Sequence, residues 1–170
     1  MAVIKRYFNM KYNNILFSFI LLLFILKCNA QSNAGFGIRG GLNLTFFKVQ
    51  EAQFGDNIET EAGFYGGFFA DFEIDEIVSL QPELLYIHLN DFRFINAPIY
   101  AKLHLSDKLS FMAGPSLNYF FDFFNNKFKV RADIATTYNI TAATDIHVKF
   151  VIGFNEVAPN GLFFGAGYKF

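Results

Sequence analysis

The stretch GFGIRGGLNLTF, residues 35–46, alternates between two kinds of side chain almost without exception. Phe36, Ile38, Leu42, Leu44 and Phe46 fall on one side of an extended chain. Gly37, Arg39, Gly41, Asn43 and Thr45 fall on the other. A period of two is the mark of a β-strand with two unlike faces. In a water-soluble protein the oily face turns inward and the polar face outward. The rest of the chain argues for the reverse.

The same alternation recurs over residues 63–74, 77–89, 92–105, 109–121, 129–140, 144–154 and 161–170. No amphipathic helical period of useful length intervenes. Eight segments is an even number, and each is near the ~10 residues that cross a bilayer at a tilt. Residues 75–76, 106–108 and 141–143 make short connections. Residues 47–62, 88–91, 122–128 and 155–160 make mostly longer ones. This layout predicts an all-β, eight-stranded antiparallel up-and-down transmembrane barrel. It places the mature termini and short turns in the periplasm and the longer loops outside the cell.

Charge separates the two faces. The polar face carries Arg39, Lys102, Arg131, Lys149 and Lys169 against Asp71, Glu73, Glu83, Asp122, Asp133 and Asp145. The other face has no charge in its middle, and Arg93 falls at a rim. A solvated surface has no need of such balance, whereas a narrow closed lumen does, because unpaired buried charge is costly. The expected lumen network is Arg39, Asp71, Glu83, Lys102, Arg131, Asp133 and Lys149. Asp122 with Arg131, and Asp133 with Lys149, are the expected pairs across turns. On the outward face Phe36, Phe46, Phe64, Phe72, Tyr86, Tyr119, Tyr138, Phe154, Tyr168 and Phe170 lie near strand ends, as two interfacial girdles would. Pro82, Pro98 and Pro115 fall inside strands. A closed barrel has no edge to take them, so bulges are expected there. A lipocalin-like soluble barrel is the opposing reading, with the Phe- and Ile-rich face inside.

Composition agrees with a lipid-facing wall. Phe supplies 25 of 170 residues, Trp is absent, and only 17% of the chain is charged. That much apolar surface needs a cover other than water. Residues 15–26, ILFSFILLLFIL, form an apolar run too short for a spanning helix. Lys5, Arg6 and Lys11 precede it and a small residue, Ala30, follows. This is a secretory signal peptide over residues 1–30, cut between Ala30 and Gln31, with the barrel domain over 31–170. Either Met1 or Met10 serves as its start. Leu26 and Lys27 are wrong neighbours for lipidation of Cys28. Cys28 is the only cysteine, so the mature chain has no thiol chemistry. The leader removes four of 14 basic residues and leaves 10 against 15 acidic, a net charge of −5. A nucleic-acid partner, which needs a basic face, is not expected.

Five pieces in order carry a family resemblance: Gly37-Ile-Arg-Gly-Gly-Leu-Asn43, Leu80-Gln-Pro-Glu-Leu-Leu-Tyr86, Pro98-Ile-Tyr-Ala-Lys102, Ala113-Gly-Pro115 and Gly167-Tyr-Lys-Phe170. Over nearly all of residues 35–170 the chain resembles the PorT-like outer-membrane β-barrel family, and its three strand prolines match family positions. Lys149 departs, standing where the family often has Arg. The resemblance implies an outer-membrane barrel whose terminal Phe170 is read by the barrel-assembly machinery. The family shares no single activity; a few members are tied to protein secretion or gliding.

No catalytic, cofactor-binding or metal-binding residue is assigned, and no cofactor is expected. His88, His104 and His147 are the only candidates for general-base work. A lipid-modifying barrel enzyme would use His88 at the extracellular rim near Asp91, but no serine lies close in sequence. The stretch 47–62 sets Lys48 against Glu51, Asp56, Glu59 and Glu61, a net charge of −3. It is expected as an extracellular loop and contact surface. The sequence thus points to a structural, adhesive or assembly-partner role in outer-membrane lipid, with a protein partner outside the cell or in a secretion apparatus.

Overall fold

Alternation closes into a ring. The structure, a computed structural model, describes residues 34–51, 55–90, 92–122, 127–154 and 159–170. The expected signal peptide, with its expected cleavage between Ala30 and Gln31, lies outside the described residues. Eight strands follow in chain order: β1 (Ala34–Glu51), β2 (Gly55–Glu73), β3 (Val78–Leu89), β4 (Arg93–His104), β5 (Leu109–Phe120), β6 (Phe128–Asn139), β7 (Thr144–Gly153) and β8 (Asn160–Lys169). Each is hydrogen-bonded to its sequence neighbours, and β8 returns to β1 antiparallel, from Gly37–Lys169 to Phe46–Asn160. A closed sheet of this kind leaves no edge along its wall.

Side chains explain the short turns. Asp75 Oδ1 accepts from the amides of Ile77 and Val78, each at 2.7 Å. Ser106 Oγ accepts from the amides of Lys108 and Leu109 at 3.4 and 3.1 Å. Thr141 Oγ1 accepts from those of Ala143 and Thr144 at 3.2 and 3.0 Å. In each case a short oxygen-bearing side chain caps amides two and three residues ahead, which fixes a tight reversal.

Two expectations need correction. The loop expected over residues 47–62 is largely strand. β1 runs on to Glu51 and β2 begins at Gly55, so both outrun β8, which starts at Asn160, and β3, which ends at Leu89. Above the wall a ribbon needs no lipid-facing stripe, so the apolar alternation that marks strands elsewhere stops before the strand does. The prolines, in turn, do not sit at bulges. The β3–β4 pairing breaks after Pro82–Ile99 and resumes at Leu85–Asn96, with two residues skipped on each side. The same equal skip falls between Pro98–Ser116 and Ala101–Ala113, and between Phe69–Glu83 and Phe72–Leu80. Each gap contains one proline (Pro98, Pro115 and Pro82 respectively). The missing amide donor interrupts the ladder locally while the register is kept.

Glycines let the wall curve tightly. A Cβ on Gly114 would strike the Ile99 carbonyl, and one on Gly67 would strike that of Leu84. The outward wall is apolar, with Leu42, Phe64, Phe68, Leu84, Ile99, Leu117 and Val130 exposed; Phe68 reaches 66% exposure. The inward face is split along its length. Leu85, Ile87, Leu89, Phe94, Phe120, Val151 and Phe163 fill the end nearer the long connections. Charged and polar groups fill the rest.

Candidate functional site

The interior charges come from strands far apart in sequence, and inward alternation brings them together. Arg39 of β1 donates through Nη1 to Glu83 Oε1 of β3. Its Nη2 donates to both oxygens of Asp145 at 3.2 and 3.3 Å, and its guanidinium lies 4.9 Å from the Phe69 ring centre. Lys149 of β7 donates to Asn96 Oδ1 at 2.8 Å. It stands 3.8 Å from Glu83 Oε2 and 3.8 Å from Asp133 Oδ2. Asp133 also accepts from Ser116 Oγ at 2.5 Å, Asn96 Nδ2 at 3.2 Å and Tyr100 Oη at 3.3 Å. His147 bridges Tyr65 Oη at 2.5 Å and Asp145 Oδ1 at 3.1 Å.

Arg131 takes a different course from the one expected. Its Nη2 donates to Asn118 Oδ1 at 2.5 Å and its Nη1 to the Pro159 carbonyl at 2.8 Å. The guanidinium lies 5.2 and 5.5 Å from the ring centres of Phe94 and Phe120. Asp122 does not reach it. The register sets Arg131 opposite Ser116, whereas Asp122 lies past the end of β5. Asp122 instead forms a two-pronged pair with Arg93, Nε–Oδ2 3.0 Å and Nη2–Oδ1 3.1 Å, on the exposed rim. The hydrogen bond from Arg93 holds the Asp122 carboxyl below its ordinary pKa.

In all, Arg39 and Lys149 face Glu83, Asp133 and Asp145 within one ion cluster, while Arg131, buried on Asn118 and two aromatic rings, pairs with no carboxylate among the described residues. Burying ions costs heavily unless partners and hydrogen bonds replace water. Here nearly every charged head has several. Toward the short-turn end, Lys102 Nζ donates to Asp71 Oδ2 at 2.7 Å. The cluster fills the interior between the strands, as the narrow lumen of an eight-stranded barrel requires.

Among the described residues the lumen beyond Arg131 is filled: the stacked rings of Phe94 and Phe120, 4.7 Å apart, join Leu85, Ile87, Leu89, Val151 and Phe163 in an apolar plug. No family model matches the chain, and no curated protein matches its sequence. Solved structures do match its fold. The attachment invasion locus protein of Yersinia pestis shares 12% identity at a TM-score of 0.54, over 81% of this chain and 99% of that one. Neisserial surface protein A shares 13% at 0.52, over 82% and 100%. A de novo designed transmembrane β-barrel shares 12% at 0.53, over 83% and 99%. The fold is that of a small outer-membrane β-barrel.

Ten of the aromatics on the wall of this outer-membrane β-barrel fall near strand ends, in two sets of five. Phe36, Phe72, Tyr138, Tyr168 and Phe170 ring the short-turn end. Phe46, Phe64, Tyr86, Tyr119 and Phe154 ring the other. Tyr119 packs on Phe121 and Phe128 with ring centres 5.1 and 4.8 Å away. The histidines fall at different depths. His88 is exposed near the rim, opposite Phe64 and Arg93; Asp91, its expected neighbour, lies outside the described residues. His104 joins Ser79 Oγ at 2.8 Å and Ser110 Oγ at 3.1 Å.

The sequence led us to expect a lumen filled by its own side chains, with Tyr65, Phe69, Tyr100 and Phe163 among the large fillers, but not the gathering of the apolar ones at one end nor the Tyr65–His147–Asp145 chain. The plug did leave a signal. Near the long connections, alternation gives way to consecutive apolar residues, as in Leu84-Leu85-Tyr86-Ile87 and Phe163-Phe164. Both faces are apolar there, one toward the outside and one toward the plug.

Proposed function

We propose that this chain is an integral outer-membrane protein of the PorT-like kind. Residues 1–30 serve as its cleaved signal peptide. Both mature termini face the periplasm. It acts as a structural, adhesive or assembly-partner protein through the surface outside the cell, without catalysis. One observation carries this reading: the wall is oily outside and charged inside. Leu84 is 55% exposed while its neighbours Glu83 and Leu85 are buried. Water would leave such a wall prone to aggregation, whereas acyl chains satisfy it. The two aromatic sets suit the interfaces on either side of the hydrocarbon. The β1–β2 ribbon outruns its neighbours, and with Glu59 exposed on it and an acidic sequence it offers a surface for a basic protein partner.

Nitroxide labels at Leu84 and Ile134 test the membrane reading. They should report oxygen-rich hydrocarbon in intact membranes. Labels reporting water, or a protein that remains folded in the aqueous fraction without detergent, would end it. Crosslinking in intact cells tests the surface role: partners captured through residues 47–62 should vanish when that ribbon is replaced by a short turn.

A further inference from the structure

Where β1 and β2 leave the ring, each loses its outer neighbour. β1 pairs with β8 up to Phe46 and runs on to Glu51. β2 begins at Gly55, but its pairing with β3 starts only at Gly63, opposite Leu89. Residues 55–62 are therefore a strand with β1 on one side and, among the described residues, no strand on the other. Along that free side every second residue turns its backbone N–H and C=O away from β1. Eight residues make an edge about 26 Å long.

An edge of this kind is a template for another strand, and proteins keep edges clear with proline, lysine, a bulge or a covering element. Residues 55–62, Gly-Asp-Asn-Ile-Glu-Thr-Glu-Ala, contain neither proline nor lysine. The opposite edge, residues 47–51, is shorter and carries Lys48. The β2 edge is also held ready. From Gly63 inward the same strand is built into the barrel wall, so its direction is set before anything binds. Ordering on this side of a complex then costs little.

Charge narrows the occupant. The edge has three carboxylates in its sequence, Asp56, Glu59 and Glu61, and no base. Glu59 is exposed. A second copy of the chain would lay one acidic edge against another, and like charges facing across a ladder repel. What fits is an extended segment bearing basic side chains.

We infer that residues 55–62 hold a basic segment of another protein by taking it on as an added strand. Backbone hydrogen bonds bind the segment, and its Lys or Arg side chains meet the carboxylates. The inference rests on the surface role proposed above and adds the way in which the partner is held.

The test uses the full barrel in lipid nanodiscs and a short end-blocked probe, Lys-Thr-Lys-Val-Lys-Thr-Lys-Val. A second probe has the same side chains but carries N-methyl groups on two adjacent central residues, so each of its edges loses a donor. The first probe should bind in low salt with a dissociation constant of about 10–100 µM. It should also slow hydrogen exchange at alternate amides of residues 55–62. The methylated probe should bind roughly tenfold more weakly or worse. Glu59→Lys should weaken the first probe about threefold. Equal binding of the two probes, or binding without alternate protection, would overturn strand addition and leave an acidic docking surface standing. If neither probe binds, the inference also falls; capture of partners in intact cells through residues 47–62 then shows whether the surface role falls with it.

Discussion

Glu83 is the residue whose loss should be felt most. It is enclosed, with Arg39 and Gln81 Nε2 on Oε1 and Lys149 3.8 Å from Oε2. Glu83→Gln keeps the shape and removes the charge. Arg39 would keep Asp145 and Lys149 would keep Asp133, so neither cation is stranded. Breaking one side of a buried pair costs about 3–5 kcal/mol, and the remaining partners argue for the lower end, about 3 kcal/mol. Urea weakens folding by about 1–3 kcal/mol per molar, so the unfolding midpoint should fall by roughly 1–3 M. Equilibrium unfolding in lipid vesicles, read by circular dichroism, measures this. Arg39→Met should cost at least as much, since it leaves two carboxylates facing each other. The double variant should lose about 1–3 kcal/mol less than the two singles together. Strict additivity, or a midpoint shift below about 0.3 M, would refute the idea that the ion cluster holds the interior together.

Three further outcomes follow from the wall, the rim and the plug. Gly114→Ala should lower the folded fraction and cost about 1–3 kcal/mol, because its Cβ meets the Ile99 carbonyl; Gly66→Ala, with only the Arg39 carbonyl oxygen at 3.9 Å, should be close to neutral in the same unfolding assay. At the rim, the Asp122 pKa is lowered in the folded chain. Its contribution is therefore present above the ordinary carboxylate range and lost as pH falls through the lowered value. The pair is exposed, so Asp122→Asn should cost little at neutral pH, and high salt should erase even that in parallel unfolding curves. Planar-bilayer recordings of the intact protein should show no discrete conductance steps; reproducible steps would contradict a lumen closed by Phe94, Phe120 and Phe163.

Much of the wall was legible because lipid and lumen impose opposite demands on adjacent residues. Leu84 between Glu83 and Leu85, or Ile134 between Asp133 and Ala135, can be assigned to a face from the sequence alone. The ribbon over residues 47–62 was not legible, since its pairing is made by backbone groups and leaves no stripe. Nor was the partner of Arg131. Pairing it with Asp122 assumed that the ladder continues through the turn, but β5 ends at Phe120 and the register brings Ser116 there instead. The prolines misled for a related reason. A proline shows that a donor is missing; whether the neighbouring strand adds a residue or merely skips a bond depends on the partner, and here it skips. His147 alternates inward like its neighbours, yet nothing local announces that Tyr65, 82 positions earlier, would meet it.

The two-part filling of the lumen bears on how the barrel enters a bilayer. When strands insert from the side of the short turns, the ends that must travel through hydrocarbon are those bearing Ile87, Leu89, Phe94, Phe120, Val151 and Phe163. The lumen face there is greasy apart from Arg131 and crosses at lower cost than the charged half would, although the Arg93–Asp122 pair and the acidic β1–β2 ribbon must still pass. Arg39, Asp71, Lys102 and Asp145 trail behind near the aqueous side of departure, where a charge at the bilayer midplane would cost about 2–4 kcal/mol apiece. The same chain led by its charged end would have to drag every one of them through oil.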